Sequence, residues 1–419
     1  MAAVIGGRSL PAETLGAKLR RLARQNRFDN PFVNGVMSAP PTLTANASAT
    51  AGSNFYWFGF PNAAALRTFG GTRVYTPNAN YARFPVSTLA PVGSDFGNVS
   101  GNGQPGNQGA TSFQMEFMAD AATVSVYLAN STTPFRFLVQ GPETGGRLQY
   151  VNLTGTVVNT GGGAGYANLA FGSRALRRIV VEGELAHGFV GVQVGATESV
   201  YPTDGADILR GFCLGDSFVE GTGATRTNDN VANVMMSALG LRDRRCSGLG
   251  GTGWRERGAA AGGMRYTIGE RIAIDLVPQN PDVAFIQAGI NDGAYSQASV
   301  TPEVATRLRQ LRAALPAVPV FVFGPWPGLS GPSPTLIGIE NAIAAGVAAA
   351  GDPLAIFVPV LTDPSGPWMS GTGKTDAPTG SGNADLYVSP DGTHPPSAGH
   401  GYLGLRAADA VMTRLESVP

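Results

Sequence analysis

Residues 210–223, RGFCLGDSFVEGTG, and residues 282–292, DVAFIQAGIND, decide the fold of this chain. Each begins with a short run of β-prone apolar residues and ends in a glycine followed by polar side chains, a pattern typical of a buried strand that opens into a loop. Further helical and strand-like patterns alternate downstream, namely TPEVATRLRQLRAAL (301–315), VPVFVFG (318–324), IENAIAAGVAAAG (339–351) and AIFVPV (355–360). This alternation predicts an α/β domain over residues 206–419, with a parallel sheet covered by helices on both faces.

The part of the chain before this domain has a different pattern. In residues 111–205, short β-prone runs such as TVSVYLA, FRFLVQG and FVGVQVGA are separated by turn residues, which predicts an antiparallel β-sandwich or jelly-roll domain. Residues 1–110 hold one amphipathic helical pattern at 12–25. The rest of that segment is dense in Pro, Asn, Ser, Thr and Gly, so we expect irregular loops packed partly on the body.

Composition excludes several classes of protein. The 419 residues contain 29 Lys+Arg and 29 Asp+Glu, so there is no basic excess to attract nucleic acid or an anionic membrane surface. With 43% hydrophobic residues the chain can bury a sizeable core. No apolar run approaches the about 20 residues of a membrane span. The run at residues 2–5 is shorter than the roughly 7 to 15 residues of a secretory signal, so we expect no signal peptide, and the compartment stays open, extracellular and virion-associated locations included.

Four loops of the α/β domain carry side chains of catalytic type. Residues 215–217 and 289–292 follow the two strands quoted first, residues 247–253 follow another, and residues 391–394 come just before the last helical pattern. Because ligands bind at the carboxyl ends of parallel strands in such sheets, we expect these loops to line one crevice.

A serine in the first of these loops has the partners that a nucleophile needs. The hydroxyl of Ser217 requires a neighbouring base, most often a histidine oriented by a carboxylate. Of the three histidines, His187 lies in the β-rich half and His400 near the start of the last helix, where packing or capping roles are expected. His394 remains, with Asp391 three residues earlier on the same loop. We therefore predict Ser217 as nucleophile, His394 as general base and Asp391 as the group that orients it.

An acyl-transfer enzyme also stabilises the oxyanion of its tetrahedral intermediate with N–H donors. The backbone amide of Ser217 is one candidate donor. Gly250 offers a second amide at a position where a side chain would obstruct the substrate, and the Asn291 carboxamide offers a third donor. Gly251 is the alternative to Gly250 within the same loop.

In their order and placement these motifs resemble the SGNH (GDSL) hydrolase family, with GDSFVEGTG as the first block, GLGG as the second, GIND as the third and DGTH as the fifth. The resemblance covers about residues 210–415. It implies a flavodoxin-like three-layer α/β/α fold, a serine esterase mechanism, and the roles named above for Ser217, His394, Asp391, Gly250 and Asn291. A β-sandwich ahead of such a domain resembles carbohydrate esterases that remove O-acetyl groups from polysaccharides.

Other residues near the strand ends are candidates for substrate binding. Asp216, Gly251 and Asp292 adjoin the predicted site, although helix capping or loop anchoring also explains the two carboxylates. Four aromatic residues follow predicted strand ends, where a sugar ring or an acyl chain can stack on them, and ordinary core packing is the alternative. These residues are Trp254, Tyr295, Trp326 and Trp368.

The two cysteines are too few for a disulfide framework or a structural zinc site, and we expect neither metal nor cofactor. Cys213 and Cys246 each precede a predicted site residue by four positions, Ser217 and Gly250 respectively. Reduced core packing and a close thiol pair both stay open.

The sequence therefore predicts a metal-independent carboxylic ester hydrolase that removes a small acyl group, most simply acetyl, from a carbohydrate. Its expected partner is an acylated small molecule or polysaccharide, not nucleic acid or a membrane, and the oligomeric state stays open. Two alternatives remain. One is a lipase or arylesterase of the same family. The other is a carbohydrate-binding or virion-associated structural protein, in which the β-rich half governs function.

Overall fold

The structure is a computed structural model, and two halves of the chain form two kinds of sheet in it. The residues it describes are 13–26, 29–57, 64–70, 113–129, 134–158, 164–183, 188–260, 263–264, 266–328 and 331–418, together with the short strands at 4–5, 8–9, 74–76 and 81–83. Among these, no helix has the length and apolar character needed to cross a membrane.

Strands dominate the first half. In chain order its elements are β1 (Val4–Ile5), β2 (Arg8–Ser9), α1 (Leu15–Gln25), α2 (Pro31–Asn34), β3 (Thr42–Asn46), β4 (Asn54–Trp57), β5 (Arg67–Phe69), β6 (Val74–Thr76), β7 (Tyr81–Arg83), β8 (Phe113–Ala129), β9 (Arg136–Gln140), β10 (Gln149–Tyr150), β11 (Ala164–Gly183), β12 (Gly188–Val194) and β13 (Ser199–Tyr201).

These strands build an antiparallel sheet around the long pair β8 and β11. Strands β9 and β10 follow beyond β11, and β12, β7 and β6 follow beyond β8. Alternate residues of the long strands, such as Val124 and Val126, are fully buried in one apolar core, as expected for a sheet with period-2 alternation. The predicted antiparallel sheet is confirmed, and its jelly-roll topology stays a prediction, as do the domain boundaries at 110 and 205.

The strands are longer than the sequence pattern indicated. The β-prone runs SFQMEFMA (112–119) and TVSVYLA (123–129), which the pattern separates, form the single strand β8. This is because Ala119 and Asp120 pair with β11 on one side and β13 on the other. Strand β11 likewise passes through Gly172, whose φ is +77°, where its register with β8 shifts between Ala170 and Ala175. Strands β3 to β7 lie in the segment predicted as irregular, because pairing with longer strands outweighs their weak local preference.

Helix α1 docks the start of the chain on the second half. It lies within the predicted span 12–25, and Thr14 caps it by accepting a hydrogen bond from the Ala17 amide. A Cβ atom on Gly16 would lie 2.5 Å from the carbonyl oxygen of Val418, so glycine allows a close approach to the end of the chain.

The second half alternates strands and helices, as predicted. Its elements are β14 (Arg210–Gly215), α3 (Ser217–Glu220), α4 (Val231–Ala238), β15 (Asp243–Gly248), β16 (Ala259–Ala260), β17 (Gly263–Met264), α5 (Ile268–Arg271), β18 (Val283–Gln287), α6 (Gln297–Ala314), β19 (Val320–Phe323), α7 (Pro334–Ala350), β20 (Ala355–Val358), α8 (Ala384–Tyr387) and α9 (Ser397–Met412).

Five of these strands form a parallel sheet in the order β15-β14-β18-β19-β20. This is the 2-1-3-4-5 order of flavodoxin-like folds. Separate apolar cores cover its two faces, and every residue of β18 is buried, as a sheet between two helical layers requires. Cys213 and Cys246 are directly opposite each other on β14 and β15, both thiols are buried, and no disulfide joins them.

Candidate active site

The turn from β14 into α3 presents Ser217. Asp216 caps the helix by accepting a hydrogen bond from the Phe218 amide at 3.0 Å. A Cβ atom on Gly215 would overlap the Val219 side chain, so glycine lets α3 pack closely on the end of β14. Ser217 is 7% exposed and sits at the carboxyl end of a central strand.

The loop before α9 brings a histidine to this serine across 177 positions of sequence. His394 Nε2 lies 2.8 Å from Ser217 Oγ, and His394 Nδ1 lies 2.6 Å from Asp391 Oδ2. The ring of Phe218, 5.7 Å from the imidazole between centroids, packs beside it. With its Nδ1 proton donated to Asp391, the neutral imidazole can accept the serine proton at Nε2. The three residues predicted as a triad are therefore joined by two hydrogen bonds, one between Asp391 and His394 and one between His394 and Ser217.

Asp391 is held as a carboxylate. Burial alone would raise its pKa, but hydrogen bonds donated by the Thr393 amide, the His394 ring and amide, and the Ser389 hydroxyl lower that pKa well below its ordinary value. The side chain of Asp391 is 47% exposed and that of His394 is 19% exposed, so solvent reaches both members of the pair.

The donors predicted for the oxyanion are only partly available. The Gly250 amide donates to Glu220 Oε2 at 2.7 Å, so a carboxylate of the protein already accepts its proton. Among the described residues, the amides of Ser217 and Gly251 have no acceptor. Asn291 Nδ2 donates one hydrogen to the carbonyl oxygen of Thr252 at 2.9 Å and retains a second. This geometry disfavours Gly250 and favours Gly251, where φ is +76°, as the second backbone donor.

The two carboxylates next to the site anchor loops. Asp292 is buried and accepts hydrogen bonds from the backbone amides of residues 254–256, at 2.8 to 3.0 Å. Asp216 is also buried, caps α3 and accepts a hydrogen bond from Gln287 Nε2 at 3.1 Å. Both contacts agree with the anchoring alternative and not with a pair of glycosidase acids.

Three of the four aromatic side chains predicted to bind substrate lie in the core instead. Trp254, Trp326 and Trp368 are fully buried. Trp326 packs edge-on against Phe218, so it supports the catalytic turn from behind. Each follows a strand end as predicted, but the loop that carries it folds back over the sheet, and apolar burial outweighs exposure of a large ring. Tyr295 is half-buried and is the one of the four that reaches the surface.

The other histidines have no place in the triad. His400 is fully buried, accepts a hydrogen bond from the Val231 amide at Nδ1 and donates from Nε2 to the carbonyl oxygen of Thr222, both at 3.1 Å. Burial lowers its pKa to about 4, which keeps the ring neutral. His187 lies outside the described residues.

Two further polar residues shape the site. Glu220 lies one helical turn after Ser217, so its place in GDSFVEG could have revealed its proximity to the nucleophile. Arg271 is fully buried and donates to the carbonyl oxygens of Gly215 at 3.0 Å and Ser247 at 2.7 Å, which ties together the ends of β14 and β15. Such contacts across the fold leave no local sequence signal. Among the described residues, no three His, Cys, Asp or Glu side chains are grouped to hold a metal ion.

Asp216 predicts a pH dependence of stability. Burial raises its pKa from 3.8 to about 7, against the hydrogen bonds from Phe218 and Gln287. The folded state thus binds its proton more tightly than the unfolded state, so this contribution to stability is full below about pH 4 and is lost as the pH rises to about 7. We expect the free energy of unfolding to lose at most about 1.4 kcal/mol per pH unit through this group. Urea unfolding of Asp216→Asn beside the unaltered protein checks this, since a difference between the two that is constant from pH 4 to 7 would contradict it.

A known family matches the second half in sequence, and solved structures share the fold. Residues 213–402 match the model of the GDSL-like Lipase/Acylhydrolase family, which confirms the resemblance to SGNH (GDSL) hydrolases. None of the curated proteins compared with the chain matches it.

Three solved structures illustrate the likeness of fold. A carbohydrate esterase family 2 enzyme plus carbohydrate binding domain from Corynascus thermopiles (Myceliophthora fergusii) superposes with a TM-score of 0.52 at 16% identity, covering 84% of this chain and 99% of that one. An acetyl xylan esterase from Butyrivibrio proteoclasticus gives 0.55 at 12% identity, over 87% and 100%. A salicylyl-acyltransferase from a tetracycline biosynthetic pathway gives 0.56 at 13% identity, over 90% and 99%. In each case the shared fold extends across both halves of this chain.

Proposed function

Because residues 213–402 carry a GDSL-like lipase/acylhydrolase domain, we propose that this protein is a serine carboxylic ester hydrolase that removes small acyl groups, most simply acetyl, from a carbohydrate. The observation that carries the proposal is the pair of contacts from His394, at 2.8 Å to the Ser217 hydroxyl and 2.6 Å to the Asp391 carboxylate.

Acylation begins at Ser217. As Oγ attacks the ester carbonyl carbon, its proton passes to His394 Nε2, and the imidazolium that forms is stabilised by Asp391. The carbon–oxygen bond to the alcohol then breaks, and His394 returns the proton to the departing alcohol oxygen. The product is an acyl-serine ester and a free alcohol.

Deacylation repeats these roles with water. His394 takes a proton from a water molecule, whose oxygen attacks the acyl carbon, and then returns that proton to Ser217 Oγ as the acid leaves. The partly exposed imidazole gives water a direct approach to the acyl-enzyme.

The negative oxygen of each tetrahedral intermediate needs N–H donors. We assign this role to the amides of Ser217 and Gly251 and to the second hydrogen of Asn291 Nδ2. Gly250 supports the loop instead, because its amide is bound by Glu220.

The choice of a carbohydrate substrate rests on likeness of fold. Esterases of acetylated polysaccharides, such as the acetyl xylan esterase named above, combine the same two halves. The family also includes lipases by its description, so a longer acyl chain is the main alternative within the same chemistry. A purely structural role is disfavoured, because a passive protein has no need of an aligned serine, histidine and aspartate.

The test is hydrolysis of p-nitrophenyl acetate, butyrate and octanoate by the purified protein, beside acetate release from acetylated xylo- and cello-oligosaccharides. We expect the acetate ester to give the highest kcat/KM and the acetylated sugars to release acetate. A preference for octanoate would favour the lipase alternative. No hydrolysis of any ester would remove the proposal and favour a binding or structural role.

A further inference from the structure

The 221–230 loop, which joins α3 to α4, holds both ends of the catalytic pair. The Thr222 amide donates to the carbonyl oxygen of Ser217 at 3.0 Å. Farther along, the Thr225 amide donates to Ser397 Oγ at 2.9 Å, at the start of the helix that follows His394. The loop therefore connects the nucleophile turn to the base.

Close packing strengthens this connection. A Cβ atom on Gly223 would overlap the carbonyl oxygen of Pro395 and lie 3.4 Å from the Cβ atom of His394. The carbonyl oxygen of Thr222 also accepts the proton of the buried His400 ring at 3.1 Å. A shift of this loop by about 1 Å would thus move the backbone on which His394 stands.

The same loop is bound by the antiparallel sheet of the first half. Arg226 is 7% exposed, and its guanidinium donates to the carbonyl oxygens of Pro134 at 2.9 Å and Thr154 at 3.4 Å. Three positions later, Asp229 pairs with the fully buried Arg136 at 2.8 Å. Both contacts cross from one half of the chain to the other.

The anchor on the sheet side is rigid. Arg136 also pairs with Glu182 at 2.6 Å, and both side chains are almost entirely buried. Glu182 in turn accepts a hydrogen bond from Gln114 at 2.7 Å. A buried arginine with two carboxylate partners has a fixed geometry, since moving either partner would leave a charge unpaired in the interior.

We propose that the antiparallel sheet positions Ser217 and His394 through Arg226 and Asp229. Arg226 and Asp229 are then positioning residues of the second half. The proposal rests on the proposed function for its effect on turnover. Hydrolysis of even a small soluble ester then depends on the sheet, so the role of the sheet is not confined to binding a polymeric substrate.

Arg226→Ala tests the proposal most directly. We expect kcat for p-nitrophenyl acetate to fall roughly 10- to 100-fold, because misplacement by about 1 Å has effects of this size. KM should stay within about threefold, because no contact to the ester is removed. Arg226→Lys should recover part of kcat, since an ammonium group can still donate to Pro134. Arg21→Ala is the matched control, because it removes an ion pair with Asp207 that also joins the two halves but lies away from the 221–230 loop.

Hydrogen exchange of the same variants gives a readout that does not depend on activity. We expect Arg226→Ala to speed amide exchange in peptides covering 217–224 and 389–397, while Arg21→Ala leaves both unchanged. Unchanged exchange and kcat in Arg226→Ala, in a variant that unfolds cooperatively, would overturn the proposal. If the unaltered protein hydrolyses no ester but Arg226→Ala still speeds exchange in these peptides, the result would support the positioning role and refute only the proposed function. Equal effects in both arginine variants would reduce the contact to general stability and overturn the proposal.

Discussion

Ser217→Ala is expected to lower kcat for p-nitrophenyl acetate by roughly 10⁴-fold or more. The Ser217 hydroxyl, which His394 contacts at 2.8 Å, supplies the oxygen that becomes the acyl-enzyme ester. Without it the remaining imidazole can only assist direct attack by water. Stability should be nearly unchanged, because removing the hydroxyl leaves the Asp216 cap of α3 intact.

Ser173→Ala is the matched control, because it removes the same hydroxyl from an exposed serine on β11, a strand of the antiparallel sheet. Its kcat should equal that of the unaltered protein. Mass spectrometry after a brief incubation with the ester should also find an acetyl group on Ser217 and on no other serine. If Ser217→Ala kept more than about a tenth of the activity, another nucleophile would have to be sought.

Asp391→Asn is expected to lower kcat by roughly 10²- to 10⁴-fold while the protein stays folded. An asparagine amide at this position would donate to His394 Nδ1, which places the ring proton on Nε2. The nitrogen that faces Ser217 could then no longer accept the serine proton. Because the side chain is 47% exposed, the substitution costs little in packing.

Asp385→Asn is the control for this change. Asp385 is another partly exposed carboxylate, on α8, and accepts hydrogen bonds from the amides of Thr379 and Gly380. Its loss should leave kcat within about twofold, because it has no contact with His394. Equal activity of Asp391→Asn and the unaltered protein would mean that a different group orients the base.

The three catalytic residues could be predicted from the sequence because each of the two loops that carry them has a short, recognisable pattern. Asp391 and His394 share one short loop, and Ser217 lies two residues after Gly215 at a strand end, so topology alone brings the two loops to one edge of the sheet. The parallel sheet followed from the alternating strand and helix patterns, whereas its flavodoxin-like arrangement was implied by the family resemblance.

Other features depend on contacts that no short pattern records. The choice between Gly250 and Gly251 depends on where the Glu220 side chain reaches. The burial of Trp254, Trp326 and Trp368 depends on how their loops fold over the sheet. The full length of β8 depends on pairing with strands far away in the chain, which overrode the turn-like residues in its middle.

The buried charges between the two halves also bear on how such a protein can be inherited. An arginine on the sheet, Arg136, meets its carboxylate partner Asp229 on the catalytic half, and Arg244 of that half approaches Glu182 of the sheet at 3.6 Å. Recombination that replaced one half with that of a distant relative would leave these buried side chains without oppositely charged partners. We therefore expect the two halves to be inherited together from one parent. Chimaeras that restore both charge pairs should fold, whereas chimaeras with an unmatched pair should aggregate.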